Sequence, residues 1–343
     1  EQIANAIVSV LMAYVLFAKG QQADLLYKNT EFSYAYGAMG GAIGTGAGAG
    51  LALLFMFLLY RYQRPALRRK AKRDEGLTES YERSAMLLLF TMLPILFSST
   101  VYNISSVLDD FLYSSIMTSL GSKTKQIVME WGIFGEYHVL FNIPVALANA
   151  LSSSLIPALT MAVASHDRQK TLSQIRVSIR FTLLIAVPCS IGMAVLADPL
   201  SRMLFPGKNV HLLIQLTRVG SFAVLLYSLS TITNAILQGL GHLNLPLYHS
   251  MVALVLHLLS LVLFLYAGLG IYGVVLSNIV FALIMCFLNQ RAIFRHTRFR
   301  IDLFRSLVMP MLSGLIMGGA AYVIYFVIHV LLPEGLRKGR VGS

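Results

Sequence analysis

A chain of 343 residues with 57% hydrophobic and only 12% charged side chains, and a mean hydropathy of +0.71, cannot cover a water-soluble globule. Soluble domains carry roughly 25% charged residues to solvate their surface. The net charge of +12 lies mostly in short loops between apolar runs, which speaks against a nucleic-acid partner and for the loop bias of a membrane protein. Cys189 and Cys286 each sit inside an apolar run, so neither a disulfide framework nor a metal site is expected.

A spanning helix needs about 20 mostly apolar residues, and by that test the chain predicts nine spans, near 2–18, 34–60, 84–107, 137–163, 179–197, 213–237, 247–267, 270–290 and 307–332. Glu1 leads straight into the first without a basic leader, so the sequence reads like the middle of a longer protein. In the second, Gly40, Gly44 and Gly48 recur at a spacing of four and form one helix face suited to close packing. The third has an apolar continuation toward Met117, as a broken or tilted helix. Ala267-Gly268-Leu269-Gly270 leaves only a tight turn between the seventh and eighth. The fold class is therefore all-α, a polytopic transmembrane helix bundle. Its expected divisions are 1–60, a basic cytoplasmic linker at 61–83, a six-helix lobe at 84–298, and a further helix with a tail at 299–343.

Orientation follows from lysine and arginine in the loops. With Glu1 inside, inner loops hold seventeen basic residues, from Arg61 to Arg83, Arg168 to Arg180 and Arg291 to Arg305. Outer loops hold six: Lys19, Lys28, Lys123, Lys125, Arg202 and Lys208. That bias places the start in the cytoplasm, although the basic tail, Arg337, Lys338 and Arg340, then falls outside.

No P-loop, HExxH or CxxC motif occurs, so neither catalysis nor a cofactor is expected. Polar groups inside spans are costly and mark candidate sites. Asp109 and Asp110 either end the third span at the interface or offer a cavity carboxylate to a cation or proton. Arg180 and Arg218 either snorkel to opposite interfaces or line a cavity. Asn142 and Gln238 bond helix to helix or touch a substrate, and His257, in the seventh span, reads as a packed residue or a proton relay. Pro94, Pro144, Pro157 and Pro188 lie inside spans, where each removes a backbone hydrogen bond.

Four stretches in order then carry a resemblance. Leu108-Asp109 comes first, followed by Asn142-Ile143-Pro144 with Ala150 to Leu159. Val195-Leu196-Ala197-Asp198-Pro199 with Leu204-Phe205-Pro206-Gly207 comes next, and Ile236-Leu237-Gln238-Gly239-Leu240-Gly241 to Pro246 closes the order. Together they resemble the multidrug/oligosaccharidyl-lipid/polysaccharide superfamily, nearest its stage V sporulation protein B-like branch. The resemblance implies a two-lobe transporter of fourteen helices, of which the nine spans are similar to helices five to thirteen. It implies a flippase or exporter of the cell membrane, moving a lipid-linked oligosaccharide or peptidoglycan precursor by alternating access. Its partners would be membrane lipid, the lipid-linked sugar and a coupling ion. A cation-coupled drug exporter using Asp109 or Asp110, and a non-transporting envelope scaffold, stay open beside it. Lipid II flippases of the superfamily carry an Asp-Arg pair shortly before the first proline of the second motif. Here His138-Val139 stand there, so a headgroup-gripping arginine is missing at that place. Arg180 and Arg218 become its substitutes.

Overall fold

The computed structural model of the chain describes residues 2–27, 32–73, 80–207, 209–300 and 304–331. Lys28, Lys208, residues 74–79 of the expected linker and the basic tail with Arg337, Lys338 and Arg340 lie outside the described residues. Among the described residues ten helices follow one another: α1 Gln2–Tyr27, α2 Phe32–Arg73, α3 Tyr81–Ser119, α4 Thr124–Ala164, α5 Arg168–Val195, α6 Ala197–Leu204, α7 Val210–Gly239, α8 Asn244–Tyr266, α9 Ile271–Thr297 and α10 Met309–Leu331, the last opened by a π turn at Phe304–Val308. Nine of them, all but α6, are long and apolar enough to cross a membrane. In lipid each backbone donor and acceptor must be met inside its own segment, which helices achieve. The chain is a multi-pass membrane protein with an all-helical fold.

The helices overrun the expected spans. Apolar length alone marks only the part that faces hydrocarbon, and nothing in the flanks breaks the winding. The third span runs unbroken through Pro94 and on past Met117 to Ser119, so Asp109 and Asp110 lie within it rather than at its end. The linker expected from Arg61 is helical as far as Arg73, and α6 was not foreseen at all.

The chain divides into two compact units, Glu1–Ser80 and Tyr81–Ser343. In the first, α1 and α2 form an antiparallel hairpin. A side chain at Gly40, Gly44 or Gly48 would run into the backbone of Ala13, Ser9 or Asn5, whereas Gly41, Gly46 and Gly50 face open space. The spacing of four thus puts α1 on the bare face of α2. Asp24 accepts hydrogen bonds from the Phe32 and Ser33 amides at 2.9 and 3.2 Å, satisfying orphan donors at the start of α2 and favouring its positive end.

In the second unit α7 is the central helix, packed by α4, α5 and α9. It runs parallel to α4, as three contacts show. Asn209 meets Met129 at one end, Tyr137 meets Gly220 midway, and Thr160 meets Gly239 at the other. Two apolar layers fill the bundle. One joins Tyr113, Phe134, Phe141, Leu216, Leu261 and Val274; the other joins Leu159, Ile179, Ile236 and Ile293. The α7–α8 turn explains its motif: Gly239 lies against Leu159, Gly241 takes a left-handed φ of 84°, and the His242 amide closes onto the Leu237 carbonyl. Helix α10 packs on α5, where Gly314 and Gly318 admit Ile191.

Candidate functional site

Between the two apolar layers the helices bring together polar groups that no single stretch reveals. Asp109 on α3 is 3% exposed and His257 on α8 is fully buried. His257 Nε2 lies 2.6 Å from Asp109 Oδ1. Asn278 on α9 donates through Nδ2 to Asp109 Oδ2 at 3.4 Å and to the Val274 carbonyl at 2.9 Å. The Tyr227 hydroxyl on α7 donates to Asn278 Oδ1 at 3.1 Å. Three helices, α3, α8 and α9, thus meet at one carboxylate, and α7 joins through Asn278. A carboxylate out of water is tolerated only when paired and hydrogen-bonded, and here both oxygens have donors. The other imidazole nitrogen, Nδ1 of His257, is buried and has no hydrogen-bond partner among the described residues.

Further along α9, by about 16 Å at 1.5 Å per residue, a second buried group holds three of these helices, α7, α8 and α9. Asn289 contacts His249 Nδ1 through Oδ1 at 2.7 Å and donates to Thr233 Oγ1 and Asn234 Oδ1 at 3.1 and 2.8 Å. At one bundle end Tyr113 bonds Glu130, which also accepts from Gln126 at 2.8 Å. In the α7–α8 turn His242 faces His296 with ring centroids 3.9 Å apart. Partial burial, and after it the neighbouring imidazole, holds His242 below the ordinary histidine range.

The other residues singled out from the sequence are placed separately. Asp110 is exposed, as are Arg218 on α7 and Asn142 on α4, whereas Arg180 on α5 and Gln238 near the end of α7 are half-buried. Asn142 pairs with His138 at 3.0 Å. Among the described residues no hydrogen bond joins Asp109, Asp110, Asn142, Arg218 or Gln238 to another of the five. Sequence reasoning named Asp109 and His257 singly and missed Tyr227 and Asn278. The available signal was a polar residue well inside each of three spans. Beside Tyr137, whose hydroxyl donates to the Gly220 carbonyl at 3.3 Å, His138 and Val139 are both exposed on α4. An open groove of about 170 Å³ between α4 and α5, lined by Leu151, Leu155, Gln174 and Phe181 among others, is too small for a lipid-linked headgroup.

Comparison with known proteins places this bundle. A family model described as "Lipid II flippase MurJ" matches residues 2–336. The chain belongs to this family. It is accordingly a member of the multidrug/oligosaccharidyl-lipid/polysaccharide superfamily. Two curated proteins of Bacillus subtilis (strain 168) are similar. "Uncharacterized membrane protein YabM" is 25% identical over 51% of this chain and 32% of its own length; "Lipid II flippase MurJ" is 24% identical over 47% and 30%. Solved structures share the fold. "Lipid II flippase MurJ, inward closed conformation" superposes with a TM-score of 0.58 at 16% identity, over 93% of this chain and 63% of that one. "Crystal structure of MATE in the bent conformation" gives 0.56 at 16% identity, over 86% and 63%. The chain thus spans under two thirds of these structures and about a third of the curated relatives.

Proposed function

We propose that this chain forms part of a bacterial inner-membrane flippase that moves a lipid-linked glycan or peptidoglycan precursor by alternating access. The observation that carries the reading is the family match along residues 2–336. Such a cargo bears a pyrophosphate, which cannot leave water unless cations and donors replace its hydration. Arg218 fits that need: its guanidinium is exposed on α7, a helix otherwise packed on several sides, and it can hold phosphate oxygens through two parallel hydrogen bonds. The exposed His138–Asn142 pair, level with the Tyr137–Gly220 contact, adds neutral polar groups for a sugar or phosphate. Arg180, half-buried on α5, is the second candidate cation.

A drug exporter of the same superfamily would favour organic cations and an acidic cavity. Asp109 does not supply one, because His257 and Asn278 take up its oxygens, and Asp110 beside it is an exposed carboxylate of α3. The test is translocation of a lipid-linked pyrophosphate sugar by the full-length protein in liposomes. Arg218→Lys keeps the charge and loses the fork, so translocation falls partly, whereas Arg218→Ala abolishes most of it. Undiminished translocation in both Arg218→Ala and Arg180→Ala at normal expression overturns the headgroup assignment. Transport of an organic cation instead of the lipid-linked sugar overturns the flippase reading in favour of the exporter.

A further inference from the structure

We propose that the groove between α4 and α5 binds an anionic phospholipid of the leaflet next to the α4–α5 turn, with one acyl chain in the groove and the phosphate at Lys170. The site does not rest on the flippase reading, because a resident lipid needs no translocation.

The two walls of the groove belong to one hairpin. Leu151 lies as many residues before His166 of the turn as Phe181 lies after it, and the same holds for Ala158 and Gln174. Facing residues are thus level, and the groove extends from about 12 to about 22 Å from the turn at 1.5 Å per residue. On α5, Gln174, Val177, Ser178 and Phe181 line it at the three- and four-residue spacing of one helix face. Lys170 continues that face one turn nearer the loop, and Leu184 continues it one turn deeper.

Along this face the chemistry changes in the order of a phospholipid. Exposed Lys170 comes first, at the depth of a phosphate. Half-buried Gln174 follows, then Ser178 level with Ser154 of α4, as donors for phosphate and ester oxygens. Phe181 and Leu151 come next, and beyond them Leu147 and Leu184 are exposed and wholly apolar. The groove, of about 170 Å³, suits a single chain.

Lipid tails are as apolar as these walls, so seating a chain gains little by itself. Selection therefore falls to the headgroup. Arg168, Lys170 and Arg176 are exposed around the mouth. Asp167 is the one carboxylate between Thr160 and Arg180, and it caps α5 by accepting from the Lys170 amide at 2.9 Å. Three cations thus face one engaged anion, and the positive end of α5 lies at the same mouth. Cations so placed attract anionic lipid over about a Debye length, and the Lys170 stem can lie along the groove with its ammonium at the phosphate. A zwitterionic lipid brings its own cation and gains less. Arg180, named above for the cargo, does not line the groove.

The experiment places benzoylphenylalanine at position 181 of the full-length protein, in phosphatidylcholine vesicles holding a minor share of phosphatidylglycerol. The mass of the photoadduct identifies the captured lipid. Phosphatidylglycerol should be captured about five-fold above its share of the bilayer, the effect of one cation at the surface. Lys170→Gln should return capture to near that share. Arg300→Gln, which removes a charge from another loop at the same end, should leave the enrichment intact. Ser154→Phe fills the groove from α4 and should lower capture of both lipids. Capture that follows bilayer composition in the native sequence overturns the site, and so does equal loss in Lys170→Gln and Arg300→Gln. A crosslink to the protein itself overturns it too, by showing the groove covered. Should Ser154→Phe fail to fold, the comparison of Lys170→Gln with Arg300→Gln still decides. Added lipid-linked pyrophosphate sugar should leave the adduct unchanged. Displacement of phosphatidylglycerol by that sugar would make the groove part of the cargo path and overturn the resident-lipid site, while leaving the flippase reading in place.

Discussion

Single polar side chains set how the helices of the second unit recognise one another. Side-chain hydrogen bonds between membrane helices average about 0.6 kcal/mol each, so the number of bonds at a residue decides its weight. Asn289 makes three such contacts, to His249, Thr233 and Asn234, and is fully buried. Asn289→Ala should therefore cost about 2 kcal/mol, read as a clear loss of thermal stability in detergent. Tyr227→Phe removes one bond to Asn278 at 3.1 Å and should cost less than about 1 kcal/mol. Equal losses for the two variants would mean that packing, not hydrogen bonding, sets the scale. This level was the least legible in the sequence. Asp109 and His257 each stood out as polar residues in apolar runs, but they lie 148 positions apart, and nothing local pairs them. Asn278 and Tyr227 carry no charge, and nothing local pairs either of them with Asp109.

Helices were legible as spans but not as whole elements. An apolar run reports the thickness of hydrocarbon, about 30 Å, whereas α2, α3 and α4 have 42, 39 and 41 residues and reach about 60 Å at 1.5 Å per residue. The basic stretch from Arg61 to Arg73 can accordingly remain helical beyond the lipid, with Arg61, Arg64, Arg68 and Arg69 exposed. Short α6 escaped notice because its eight residues are too few to show a period; it is fixed instead by contacts, Asp198 binding Arg202 at 2.9 Å and accepting from Tyr325 of α10 at 3.0 Å. The glycine face of α2 was legible, because spacing alone specifies it. Its test is a pair of substitutions on one helix. Gly44→Leu drives a side chain into the Ser9 backbone, 2.5 Å from where a Cβ would sit, whereas Gly46→Leu enters open space. Folded protein recovered from membranes should fall sharply for the first and hold for the second. Equal yields would show that α1 does not need the bare face.

At the scale of the whole chain, the number of spans was legible because hydropathy acts over many residues and its errors average out. The packing of α10 on α5 was not, since no local pattern encodes which helices meet. The structure sorts the loops of the second unit to two ends, because α4 and α7 run parallel and each intervening helix runs back. Residues 120–123, 205–207 and 267–270 belong to one end, and 165–167, 240–243 and 298–300 to the other. Arg168, Lys170, Arg291, Arg295, Arg298 and Arg300 gather at or near the second end, which the positive-inside bias assigns to the cytoplasm. Cysteine placed at Ser122 in a background without Cys189 and Cys286 should then react with an impermeant maleimide on intact cells. Cysteine at Ser165, or at Arg69 in the first unit, should react only after permeabilisation. The reverse pattern would invert the protein and exchange the roles of its two span arginines. In the expected orientation Arg180 lies about a dozen residues into α5 from its cytoplasmic end. Arg218 lies about eight residues into α7 from its outer end. Under the flippase reading proposed above, an anionic headgroup crossing between them would meet positive charge in both halves of the bilayer, and inversion would reverse the order in which it meets the two arginines.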